Sequence, residues 1–139
     1  MERTLAIVKP DGTERNLIGE VIRRFEEAGL EVVALKMVRL DPGEAGRFYH
    51  VHRGKPFFDS LVSFMTSGRI VPMVLQGEGA IERVRRIMGA TDPGRADEGT
   101  IRRAFGSSIE RNIVHGSDGP RTAAFEIGYF FGALEIHSA

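Results

Sequence analysis

The chain has 139 residues, and residues 1–139 read as one domain large enough to bury its own core. Nineteen basic residues balance nineteen acidic ones, for a formal charge of zero. That balance argues against strong nucleic-acid or membrane-surface binding. With no cysteine, disulfides, thiolate metal sites and cysteine nucleophiles are excluded.

Taken in order, Thr4–Val8 is a short apolar run that reads as a strand, ended by a turn at Lys9-Pro10-Asp11-Gly12. Ile18, Ile22 and Phe25 recur at helical spacing, with Gly29 at the C-cap. Leu30–Leu40 reads as a second strand, and Pro42 opens a helix through Tyr49. Phe57–Met65 is another short helix. Ile70–Leu75 is a third strand and Ala80–Met88 a third major helix, ended by Gly89. Thr91–Gly99 reads as a loop, and Thr100–Phe105 as one or two helical turns. Arg111–His115 is the fourth strand and Thr122–Phe131 the last helix. The order β-α-β-β-α-β predicts an α+β, ferredoxin-like sandwich: a four-stranded antiparallel sheet with helices packed on one face.

Met1 is followed by charged Glu2 and Arg3 rather than an apolar leader, and the longest apolar run, Ala123–Leu134, is too short to span a bilayer. A cytoplasmic protein with no membrane partner is the expectation.

The segment Asn112-Ile113-Val114-His115-Gly116-Ser117-Asp118 places an imidazole at the end of a strand, where the chain turns and the ring can meet a ligand. Neutral imidazole is a nucleophile near pH 7 without special activation. Glu126 is the single charge in the run Ala123–Phe131. Buried there it needs a partner, and the neighbouring element carries His115; on the wet face of its helix it needs none. Between Arg83 and Arg111 lie seven arginines, of which Arg85 and Arg102 adjoin bends containing Gly or Thr. Guanidinium forks match phosphate oxygens, and Lys9 at the end of the first strand could join them. There is no Walker loop or GxGxxG motif. His50 and His52 lack the further ligands a metal site needs. Phe57 and Phe58 suit either the core or a stacking platform.

Five ordered motifs carry a resemblance along nearly the whole chain: Lys9-Pro10-Asp11-Gly12, Tyr49 ahead of Lys55-Pro56-Phe57-Phe58, Met88 to Pro93, Gly99-Thr100-Ile101-Arg102, and Asn112 to Asp118. They resemble the nucleoside diphosphate kinase family. The resemblance implies a ping-pong reaction in which a nucleoside triphosphate phosphorylates His115 and the phosphohistidine passes the group to a nucleoside diphosphate. It implies that Glu126 hydrogen-bonds the other ring nitrogen, with Ser117 supporting that carboxylate. Lys9, Tyr49, Arg85, Thr91, Arg102 and Asn112 match positions that hold phosphates and ribose, and Phe57 the residue on which the base stacks. Mg2+ would arrive mainly on the nucleotide phosphates, with no metal site of the protein's own. A homo-oligomer is implied, a tetramer or a hexamer, and Pro93 with the loop after it matches a segment used in hexameric members. Arg69, Gln76 and Arg103-Ala104 depart from the common pattern, away from the matched substrate positions.

Overall fold

The central strand explains the architecture. In the computed structural model, which describes residues Met1–Ala139, β1 (Glu2–Val8) carries four consecutive apolar side chains, Leu5 to Val8, all buried. Successive residues of a strand point to opposite faces, so such a run needs cover on both. Leu5 and Ile7 join one apolar cluster with Phe48, Phe64, Met65 and Phe130. Ala6 and Val8 join another with Val21, Phe25, Val84 and Met88. The expected one-sided sandwich is therefore corrected to a sheet covered on both faces.

In chain order the elements after β1 are α1 (Pro10–Glu14), α2 (Ile18–Glu27), β2 (Glu31–Leu35), α3 (Pro42–Phe48), α4 (Phe58–Met65), β3 (Val71–Gly77), α5 (Ala80–Met88), α6 (Ile101–Phe105), β4 (Val114–Gly116) and α7 (Pro120–Phe130). The sheet runs β2-β3-β1-β4 with every pairing antiparallel. That is the ferredoxin-like order, with α2 and α5 as the two crossovers, buried through Val21 and Phe25 and through Val84 and Met88. Helices α3, α4 and α7 cover the other face through Phe48, Phe64 and Phe130. No helix is long and apolar enough to cross a membrane.

Several local expectations change. Lys9-Pro10-Asp11-Gly12 is the start of α1 rather than a plain turn, because Pro10 stands in the first helical turn, where its missing N–H is no loss. The second strand stops at Leu35 instead of Leu40. Lys36 N–H donates to Pro72 O, but Pro72 has no N–H to return, and pairing resumes only at the Val38–Ile70 bridge. The fourth strand spans Val114–Gly116, not Arg111–His115, since Ile113 adopts a φ of 76° that no strand accommodates. Within the expected loop, Pro93–Arg95 forms a 3-10 turn capped by Asp92, and His50–His52 forms another after α3.

Candidate active site

Pairing of β4 with β1 sets His115 opposite Ile7. Its Nε2 lies 2.9 Å from Glu126 Oε1, and Ser117 Oγ donates to the same oxygen at 2.7 Å. A carboxylate only accepts, so Nε2 carries the ring proton and Nδ1 keeps its lone pair. The Glu126 side chain is 13% exposed, which excludes the wet-face alternative. Phe48 and Tyr49 meet the imidazole edge-on, with ring centroids at 5.6 and 6.1 Å. The ring is thus fixed by a charge on one side and by two aromatic edges.

The cations are fixed mostly through main-chain carbonyls. Lys9 ends β1, and its Nζ donates to Glu110 O at 2.6 Å and to Asn112 Oδ1 at 2.8 Å. Burial lowers its ammonium to about 8, Arg102 adding to the effect while Asp11 and Glu110 oppose it. Asn112 Nδ2 in turn donates to Thr91 O at 2.9 Å. Arg102, buried on α6, donates to Gly89 O at 3.0 Å and Val114 O at 2.8 Å, while its Nε is buried without a partner. Burial and then the Arg85 charge lower its guanidinium to about 10, still charged at neutrality. Arg85, Thr91 and Arg102 open onto one cavity of about 330 Å³, which also holds Arg86 and Arg95 against the single carboxylate of Asp97. Such a cavity favours a multiply charged anion.

Tyr49 is buried, and that burial, with the Glu126 charge, holds its hydroxyl well above the ordinary tyrosine range, so it remains a neutral donor. Phe57 is 46% exposed, with one ring neighbour, His52, at 5.2 Å. It is therefore not a core residue, and it stands apart from the arginine cavity. His52 also stacks on Tyr49 at 6.3 Å, so a row of rings runs from His115 through Tyr49 and His52 to Phe57. The sequence pattern suggested His52 only as a metal ligand; its place three residues after Tyr49, on the same side of a helical turn, was the available signal for this packing. Gly89 ends α5 as expected, but its φ of 88° also turns its carbonyl to Arg102, a contact the sequence pattern did not signal.

An imidazole with one nitrogen pinned by a carboxylate, on the strand whose Val114 carbonyl anchors an arginine of the guanidinium-lined cavity, suits a phosphotransferase. The comparisons with known proteins agree. A family model described as nucleoside diphosphate kinase matches residues 2–136. A protein of Desulfosudis oleivorans named nucleoside diphosphate kinase is 62% identical over 136 residues, covering 98% of each chain. The Aquifex aeolicus nucleoside diphosphate kinase structure superposes with a TM-score of 0.95 at 48% identity, covering 97% of this chain and 98% of that one. The Halobacterium salinarum enzyme, solved in complex with CDP, gives 0.96 at 44% identity, covering 99% and 92%. This chain belongs to the nucleoside diphosphate kinase family, a phosphotransferase whose general route passes through a phosphohistidine.

Proposed function

We propose that His115 is the phosphorylated residue and that Nδ1 is the attacking nitrogen. The observation that carries this reading is the 2.9 Å bond of Nε2 to Glu126, which leaves only Nδ1 with a free lone pair. In the first half-reaction Nδ1 attacks the γ-phosphorus of a nucleoside triphosphate, the bond to the bridging oxygen breaks, and the diphosphate leaves. In the second, the terminal oxygen of a different diphosphate attacks the phosphohistidine and Nδ1 departs as neutral imidazole. Glu126 stabilises the positive charge that the ring carries while phosphorylated, and Ser117 holds Glu126. Such a reaction needs placement and spread-out positive charge more than covalent activation. Lys9, Arg85 and Arg102 supply the charge; Thr91 and Asn112 donate to phosphate and sugar oxygens, and Tyr49 donates through its neutral hydroxyl.

Phe57 offers a stacking face to the base. A π-face is common to purines and pyrimidines, so broad base tolerance follows. For magnesium, the chain gathers no group of three His, Cys, Asp or Glu side chains. That donor set fits an ion carried on nucleotide phosphates and water rather than one held in a protein cage. Lys9, Arg85 and Arg102 would share with such a nucleotide-borne ion the task of offsetting phosphate charge. We also infer a homo-oligomer, tetramer or hexamer: Leu35, which ends the edge strand β2, and Met37, just past it, are 50% and 46% exposed, an apolar surface suited to a second copy.

The test is a two-step label transfer. The protein is incubated with magnesium and γ-labelled ATP, freed of nucleotide, then given GDP, CDP or dTDP. Acid-labile label on wild type, missing from His115→Gln and discharged onto every diphosphate, is the expected result. Label on His115→Gln would refute the assignment, and label that no diphosphate removes would indicate a phosphocarrier.

A further inference from the structure

Ile113, two residues before His115, has a φ of 76° and is fully buried. Val114 N–H donates across it to Asn112 O at 2.9 Å. A hydrogen bond spanning one residue at that φ is a γ-turn of the rare, strained form. A β-branched side chain is among the least suited to it. The other non-glycine residue at positive φ is Asn16, a type that tolerates the conformation. Strain of this kind persists only where its surroundings over-determine it.

Those surroundings converge from the start of α1. Asp11 Oδ2 accepts the Ile113 N–H at 3.1 Å, and Lys9 N–H donates to Ile113 O at 2.8 Å. Both polar groups of the strained peptide are thus held by one corner of the chain. Gly12 lets that corner close in: a Cβ there would meet Val8 Cγ1 at 2.7 Å and Ile113 Cγ2 at 3.1 Å. Asp11 is 6% exposed, and its second oxygen is buried with no partner. A buried carboxylate with an orphaned oxygen is poor for stability. The turn it holds delays the start of β4 to Val114, so that Asn112 meets Lys9 while His115 keeps its register opposite Ile7.

We propose that Asp11 is a positioning residue for phosphoryl transfer, its carboxylate holding the Ile113 γ-turn and through it the aim of the His115 ring. The proposal rests on His115 being the phosphorylated residue.

The experiment is single-turnover phosphorylation by γ-labelled ATP, followed by rapid quench at pH 6.5, where Lys9 stays charged. The amplitude counts folded, competent sites, and the rate constant reads the aim of the ring. Asp11→Ala should slow phosphorylation by about 10- to 100-fold, as misplacement of an oriented group does, with amplitude and ATP affinity nearly unchanged. Asp11→Asn keeps an oxygen that accepts the Ile113 N–H, and should recover most of the rate. Glycine adopts positive φ without penalty, so in an Ile113→Gly background Asp11→Ala should cost less than about threefold. If Ile113→Gly does not fold, the Ala and Asn variants decide alone. A wild-type rate in Asp11→Ala, a loss of amplitude at normal rate, or an Asn variant as slow as the Ala one would each overturn the proposal. Absence of label from wild-type protein would instead overturn the His115 assignment, and this proposal with it.

Discussion

Raising the pH should separate the activity of this enzyme from its stability, and Lys9 is the reason. Its ammonium, buried between Asn112 and Glu110, is lowered from 10.5 to about 8. The phosphates of a nucleotide complete their ionisation near pH 6, as phosphate monoesters do, roughly two units lower. A loss of capture above pH 8 therefore belongs to the protein. At pH 9 about one lysine in ten stays charged, and kcat/KM should fall about tenfold per further unit. The limb in kcat should lie higher, because bound phosphates favour the ammonium. For stability the sign is opposite. The folded pKa lies below the unfolded one, so between pH 8 and 10.5 the unfolded chain binds more protons and the Lys9 contribution rises. The gain is on the order of 3 kcal/mol. Urea unfolding of wild type and Lys9→Met at pH 7.5 and 10.5 reads this as a difference between the two proteins. Lys9→Arg, charged throughout, should abolish the kinetic limb. A flat kcat/KM from pH 7 to 10, or a limb that survives in Lys9→Arg, would refute the reasoning.

Other outcomes follow from the same geometry. Glu126→Ala should slow phosphorylation of His115 by roughly 10- to 100-fold, the range for loss of a group that orients a functional histidine; an unchanged single-turnover rate would mean the 2.9 Å bond is idle. Phe57→Ala should weaken binding of purine and pyrimidine nucleotides alike by about 1–3 kcal/mol, and titrations in which no nucleotide loses affinity would remove the stacking role. Gly89→Ala should destabilise the fold by more than about 1 kcal/mol and raise KM. At its φ of 88° the new Cβ would lie 2.5 Å from Thr100 Oγ1, and its carbonyl is an Arg102 anchor. Thermal unfolding and steady-state kinetics check both, and a wild-type Tm would contradict the clash.

Much of the site was legible because its parts sit close in sequence or carry motifs. His115 and Glu126 lie on consecutive elements joined by a short turn, so a bond between them was a plausible expectation. Whether Glu126 faced water was not legible, since one charge in an apolar helix fits either face until the packing of α7 is known. Arg85 and Arg102 stood out from five other arginines only by their neighbours; the burial of Arg102 depends on where α6 docks. The two-sided sheet could have been read from Leu5-Ala6-Ile7-Val8, a run without polar alternation, but the βαββαβ order drew attention to one face. The bend at Ile113 was beyond local reasoning. Asn-Ile-Val has strand propensity, and the force that overrides it comes from Asp11, about a hundred positions away in the chain.

The anchoring of the cations has a consequence for how this site can change over time. Arg102 grips the carbonyls of Gly89 and Val114, Lys9 that of Glu110, and Asn112 that of Thr91. A carbonyl is present whatever side chain its residue bears. Substitutions at Glu110 or Val114 that keep the path of the backbone therefore leave the scaffold of the charge cluster standing. The machinery is buffered against drift in most of its supports, and vulnerable where a side chain is the support, at Asn112, or where the path itself depends on residue type, at Gly89 and at Ile113.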